Sequence, residues 1–207
     1  MAMTRIVTEQ QPMMRLSQLR EAAAYRITGP VVGLIAKTGI TPNIVTMLGL
    51  AITLGAAGVI ATGHFLLGGF LVLFAGLFDL MDGALSRAKK QTSRFGAILD
   101  STVDRFSEAA LLFGLLVLYA AEHSTMEIFL VFVAMVGAFL VSYIRARAEG
   151  LGLSCQVGLF TRAERVIVLA LGLLLNQVVI ALGVLVVFTY VTVAQRLLYV
   201  WQQTRNG

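Results

Sequence analysis

Long apolar runs separated by short polar breaks dominate the 207-residue chain, and their spacing predicts membrane spans near 43–63, 65–89, 95–121, 126–149, 162–177 and 178–202. Each approaches the ~20 residues that a helix needs to cross ~30 Å of hydrocarbon, the fifth being short. The breaks are Thr62-Gly63-His64, Glu122-His123-Ser124-Thr125 and Asn176-Gln177 on one side, with 87–94 and 150–161 on the other. The fold class read from this pattern is all-α integral membrane, with six transmembrane helices over 41–207. Residues 1–40 form a more polar, cytosolic N-terminal tail. Within it, 13–28 places Met14, Leu16, Leu19, Ala23 and Ile27 among Arg15, Arg20 and Arg26, which predicts an amphipathic juxtamembrane helix on the inner leaflet. No apolar stretch of signal-peptide type precedes a cleavage-like site.

Composition agrees with the membrane reading: 58% of residues are hydrophobic and only 13% charged. All 16 lysines and arginines fall on the same side of the six spans, so the positive-inside rule predicts cytosolic termini and a multi-pass protein of the cell's inner membrane. The net charge of +5 then reads as topology plus contact with anionic lipid or phosphate, and not as nucleic-acid binding, because no soluble basic domain carries it. A lone cysteine, Cys155, excludes an intrachain disulfide framework.

The acidic residues change the picture. All four aspartates of the chain, Asp79, Asp82, Asp100 and Asp104, lie in one stretch flanking an inner loop. Counting back from that loop at 1.5 Å per residue puts Asp79 and Asp82 roughly 16 and 12 Å deep, and Asp100 and Asp104 roughly 9 and 15 Å deep on the next, antiparallel helix. Spacings of i,i+3 and i,i+4 place each pair on one helical face. Each charge at mid-bilayer costs roughly 2.5–3.5 kcal/mol, and four clustered anions repel one another besides. Arg87, Arg94 and Arg105 could neutralise them as a structural ion-pair cluster. Hard divalent cations are the other solution, and Mg²⁺ in particular is held by a few carboxylates together with substrate phosphates. An all-aspartate set with no His or Cys nearby disfavours zinc and copper. His64 and His123 both fall on the outer side. Gly83 and Gly96 leave the backbone of both helices open to a flat ligand, or simply let the helices pack closely.

Written out, the stretch is Asp79-x-x-Asp82-Gly83-x-x-Ser86-Arg87, eight residues, Gly96, three residues, Asp100, three residues, Asp104. It resembles the signature of the CDP-alcohol phosphotransferase family at every spacing, with Ser86 where that family usually has Ala. The segment 39–50, GITPNIVTMLGL, also resembles the family's start of the first span. The resemblance implies that a CDP-linked lipid, CDP-diacylglycerol, loses CMP as its phosphatidyl group passes to a small alcohol. It implies that Asp79, Asp82, Asp100 and Asp104 are metal ligands, that Asp104 is also the base that takes the acceptor's proton, and that Gly83, Arg87 and Gly96 contact the cytidine nucleotide. Two Mg²⁺ ions, with Mn²⁺ able to take their place, would bridge the pyrophosphate. A homodimer is implied as well, although Gly49, Gly55 and Gly58 would equally serve packing within one subunit.

The second inner loop bears on the acceptor. Residues 142–167 form the densest arginine region outside the motif and are similar to the corresponding stretch of the family's phosphatidylinositol-phosphate synthases. Arg162 and Arg165 share a face at a helix start, where the dipole also favours an anion. Arg145 and Arg147 are i,i+2 and cannot both enter one pocket from a regular helix. Arg196, late in the last span, could complete an acceptor-phosphate pocket. Arg145 could instead pair with Glu149, and the whole set could be inner-surface charge. Inositol phosphate is the expected acceptor, with glycerol 3-phosphate the nearest alternative. A divalent-cation transporter lined by the aspartates is the alternative of a different class, against which the outer halves of the spans offer no polar path. Replacing Asp79, Asp82 or Asp100 by Asn is expected to abolish turnover while leaving folded protein in the membrane fraction, since mutual repulsion falls. A variant as active as the parent in Mg²⁺ would remove that residue from the metal set.

Overall fold

Pro42, at the first helical position after Thr41, opens the first helix, where its fixed φ is already helical and its missing N–H is not needed. The computed structural model describes residues 32–33, 40–89 and 93–205. Its six longer helices are α1 Pro42–Ala61, α2 Phe65–Lys89, α3 Arg94–Ala121, α4 Thr125–Gly150, α5 Arg162–Leu174 and α6 Val178–Arg205. All regular structure among the described residues is helical. The expected amphipathic helix at 13–28 lies outside those residues.

The three short breaks share one stop. Gly63, His123 and Asn176 each adopt a left-handed backbone, at φ +79°, 57° and 55°. After each, the next N–H reaches back five residues: His64 to the Val59 carbonyl, Ser124 to Tyr119 and Gln177 to Gly172. This is the helix-ending motif in which a left-handed residue lets orphan carbonyls be satisfied, and Gly, Asn and His adopt that conformation most readily. At the other ends, Ser93 Oγ accepts the Gly96 N–H at 2.8 Å, and Glu164 Oε2 accepts the Thr161 N–H at 2.8 Å.

Helices α1, α2, α4 and α6 are long and apolar enough to cross a membrane. The other two differ from the expectation for physical reasons. Helix α3 carries Arg94, Asp100, Asp104, Arg105 and Glu108 in its first half. Helix α5 has 13 residues, and at 1.5 Å each it is shorter than the hydrocarbon core.

Helix α1 packs against α2 and α3, α5 against α2 and α6, and α4 against α3 and α6. Ala56, Ile60, Val72, Leu115, Leu173 and Leu182 sit in the shared core, while Phe70, Phe74, Phe113, Phe129 and Phe132 point outward. Bulky apolar side chains facing out suit a lipid solvent. The closest approach to another helix's backbone is at Gly114, where a Cβ would lie 2.4 Å from the Ala57 carbonyl oxygen. Gly114→Ala must therefore force α1 and α3 apart, and overpacking of this kind typically costs about 1–3 kcal/mol. Gly183, with nothing within 4 Å of such a Cβ, is the control. Thermal unfolding in detergent should show a lower midpoint for Gly114→Ala only; equal midpoints for both would mean that α1 and α3 yield without penalty.

Candidate active site

Three helices meet at one cation. Helix α2 presents Asp79 and Asp82 one turn apart, α3 presents Asp100 and Asp104 at i,i+4, and α5 begins with Arg162. The Arg162 guanidinium reaches Asp79 Oδ2 at 2.7 Å through Nη2 and Asp104 Oδ1 at 2.6 Å through Nη1. Its Nε is buried without a hydrogen-bond partner among the described residues. Asp82 is the most enclosed of the four carboxylates and accepts the Thr46 hydroxyl of α1 at 2.7 Å. Asp100 is more exposed, yet near enough to Asp79, Asp82, Asp104 and Arg162 for their charges to act on one another.

One turn beyond Asp104, Glu108 holds Arg165 in a two-pronged pair, Nε to Oε1 at 2.5 Å and Nη2 to Oε2 at 2.8 Å. Side-chain exposures of 3% and 9% make this a buried pair, which docks the start of α5 on α3. Arg196 is also buried, donating through Nε to the Val157 carbonyl at 2.9 Å and through Nη1 to the Val141 carbonyl. The α4–α5 connection is held along its length by α6: Gln203 donates to the Ser154 carbonyl, Thr192 Oγ1 accepts from Phe160 N–H, and Gln195 Oε1 accepts from Leu159 N–H. Gly158, at φ +137°, lies against Thr192 and Arg196, where a Cβ would come within 2.8 Å of Thr192 Cγ2. Between these elements opens a cavity of about 540 Å³, bordered by Asp100, Asp104, Arg145, Arg162, Arg165 and Arg196.

The expected site residues are thus brought together unevenly. Arg145 borders the cavity while its Nε is paired with Glu149 Oε1 at 2.8 Å. Arg147 does not border it and is exposed, because two residues of helix turn a side chain by about 200°. Arg165 and Arg196 border the cavity with much of their donor capacity already engaged. A Cβ on Gly83 would meet only Arg87 Nη1, at 3.6 Å, so that backbone is open on the Arg87 side. Gly96 is small for a local reason too, since a Cβ there would crowd its own cap, Ser93 Oγ, at 2.9 Å. Arg105 donates to the carbonyl of Ser101 on its own helix. Two contributors were not anticipated, Glu108 and Thr46. Glu108 continues the Asp100, Asp104 series at i+8 and was readable on the same face.

The donor set suits a hard divalent cation, being carboxylate oxygen alone. Among the described residues no three acidic or His and Cys side chains are gathered closely enough to grip one, and Arg162 stands between Asp79 and Asp104. A cation already bridging two of these carboxylates shows that the pair is arranged to receive positive charge.

Residues 39–198 match the CDP-alcohol phosphatidyltransferase family. The chain belongs to this family. It is 37% identical over 182 residues to the phosphatidylinositol phosphate synthase of Mycobacteroides abscessus, covering 83% of this chain and 82% of that one. It is 36% identical over 163 residues to the archaetidylinositol phosphate synthase of Pyrococcus horikoshii, covering 78% and 84%. The crystal structure of Mycobacterium tuberculosis phosphatidylinositol phosphate synthase with CDP-DAG bound superposes with a TM-score of 0.78 at 33% identity, covering 85% of this chain and 94% of that one. The same mycobacterial protein has been solved with manganese and citrate, again at a TM-score of 0.78 and 33% identity, covering 84% and 88%. These family relatives are membrane enzymes, and the manganese complex supports divalent-metal use within the family.

Removing one partner of a buried ion pair leaves an uncompensated charge and costs about 3–5 kcal/mol. Glu108→Ala should therefore lower the unfolding midpoint strongly, while the double change Glu108→Ala with Arg165→Met recovers part of the loss. A double variant as unstable as the single one would show that the pair's own attraction, not the stranded Arg165 charge, sets the penalty.

Proposed function

We propose that the protein transfers the phosphatidyl group of CDP-diacylglycerol to a hydroxyl of inositol phosphate, releasing CMP and forming phosphatidylinositol phosphate. The observation that carries this is the junction of the aspartate motif with an arginine-bordered cavity large enough for a small phosphorylated alcohol. The relatives named phosphatidylinositol phosphate synthase support the acceptor, and the relative solved with CDP-DAG supports the donor.

In this reading Asp79, Asp82, Asp100 and Asp104 hold Mg²⁺, two ions by resemblance and replaceable by Mn²⁺, which would supply positive charge to the pyrophosphate and the leaving CMP. Asp104 lies at the cavity wall, where it can take the proton of the acceptor hydroxyl as that oxygen bonds to the lipid-side phosphorus. The phosphorus–oxygen bond to CMP breaks, and CMP leaves with the electron pair. Gly83, Arg87 and Gly96 border the nucleotide. Arg145, Arg162, Arg165 and Arg196 present donors to the acceptor phosphate, with charge-assisted bonds worth about 1.5–3 kcal/mol each. Arg147 keeps to the exposed surface, as an inner-side charge.

The proposed setting is a cell inner membrane, with six spans and with both termini and the site facing the cytoplasm. The three-residue turns at the outer breaks oblige α3 and α5 to run back beside α4 and α6, and the cations lie at the opposite end. A homodimer is part of the proposal; Gly55 and Gly58 of α1 have nothing within 4 Å of a Cβ and leave that face open to a second copy.

The test is CMP release from CDP-diacylglycerol by purified protein, with and without Mg²⁺, offered inositol phosphate, glycerol 3-phosphate, inositol and serine in turn. Metal-dependent release with inositol phosphate alone is expected. Preference for glycerol 3-phosphate would move the acceptor assignment, and metal flux without release would favour a transporter. Asp104→Asn should retain much of its CDP-lipid binding yet lose transfer, and equal loss of both would leave its role as base unsupported.

A further inference from the structure

Arg162 has two partners that it cannot serve at once. It is one of the arginines at the cavity, and it is also the cation lying on Asp79 and Asp104 at 2.7 and 2.6 Å. A divalent ion drawing on the same oxygens would set its own charge against the guanidinium.

We propose that Arg162 is a movable counter-cation that couples the two halves of the site: it bridges Asp79 and Asp104 while they lack metal, and turns into the cavity to bind the acceptor's phosphate when metal takes them. The inference rests on the metal reading given above.

Three observations single out Arg162 among the cavity arginines. Arg165 is bound in two-pronged fashion to Glu108, Arg196 is engaged by the Val141 and Val157 carbonyls, and Arg145 is paired with Glu149. None of those partners is one that an incoming metal would take away. Arg162 alone among them leans on the motif aspartates, so metal binding removes its partners and leaves its charge uncompensated beside the cavity. The bridge is also imperfect, because Arg162 Nε is buried without a partner. A buried orphan donor is unfavourable, and an anion in the cavity offers it an acceptor. Movement needs little rearrangement. Arg162 is the first residue of α5, and the start of that helix is fixed independently by the Thr161–Glu164 cap and the Glu108–Arg165 pair. The side chain can therefore swing while its backbone stays.

The consequence is reciprocal. Whatever holds Arg162 in the cavity removes a competitor from the carboxylates, so phosphate tightens metal binding and metal tightens phosphate binding by the same factor. Acceptor affinity would then be low until the metal is in place.

The test uses the full chain in detergent, without CDP-lipid, and reads free Mn²⁺ by its electron paramagnetic resonance signal during titration. Inorganic phosphate is the second probe. Phosphate should tighten Mn²⁺ binding by the parent protein about fivefold or more. Arg162→Gln should bind Mn²⁺ without phosphate at least as tightly as the parent and show no response to phosphate. Arg147→Gln, which removes an exposed charge of α4 that does not border the cavity, should keep the response. Arg162→Lys, retaining the charge but not the two-pronged bridge, should show a reduced response and serves if the Gln variant does not fold. Mn²⁺ binding by the parent that is unmoved by phosphate, or coupling that survives in Arg162→Gln, overturns the inference alone. A parent protein that binds no Mn²⁺ overturns the metal reading of the site and this coupling with it.

Discussion

Negative charge gathered between packed apolar helices must be neutralised where it stands, and that requirement organises this end of the molecule. Asp79 and Asp104 come from different helices, and their shared partner comes from a third. Without positive charge between them, α2 and α3 would face each other across repelling carboxylates in a medium that screens poorly. The start of α5 lies where Arg162 can reach both acids, and the Thr161–Glu164 cap and the Glu108–Arg165 pair hold its backbone there.

Two ion-pair systems lie side by side there and serve different ends. Glu108 and Arg165 are both buried, satisfy one another through two bonds, and border the cavity without belonging to the motif. Arg162 with Asp79 and Asp104 is half-exposed, at 25%, 30% and 22%, and open to exchange. Burial separates them: a closed pair fixes the frame, and a pair within reach of solvent and ligand can trade partners. Placing the fixed pair one turn from the exchangeable one lets the second rearrange on a stationary base.

Much of this was readable before any coordinates. The apolar runs located the helices to within a few residues, because stops at Gly63, His123 and Asn176 coincide with residues that tolerate a left-handed backbone. The aspartates declared themselves by scarcity and spacing. Glu108 was present in the same periodicity and went unread, since a single Glu after two Asp does not announce a partner 57 residues away. Their i,i+2 spacing already set Arg145 and Arg147 apart, but which of the two borders the cavity depends on how the helix is turned in the fold. Arg196 was read as facing an anion, but much of its guanidinium is engaged by carbonyls 39 and 55 residues distant, which only the folded backbone brings near. The short fifth span was visible as short, and its role as a carrier of Arg162 and Arg165 was visible only through side-chain bonds.

The grip of α6 on the α4–α5 connection assigns an unusual duty to that helix. Thr192, Gln195, Arg196 and Gln203 lie along one side of that last helix and fasten the loop at successive points between Ser154 and Phe160. The loop leads directly into Arg162, so the roof over the cavity is suspended from residues made after it. A ribosome releasing this chain therefore delivers the carboxylate motif long before it delivers the clasp. During that interval the cavity beside the motif has no finished wall. Anything that pulls on, shortens or replaces the turns of α6 after Gln195 loosens a structure 39 to 49 positions earlier in the sequence, at a place where no mutation has been made.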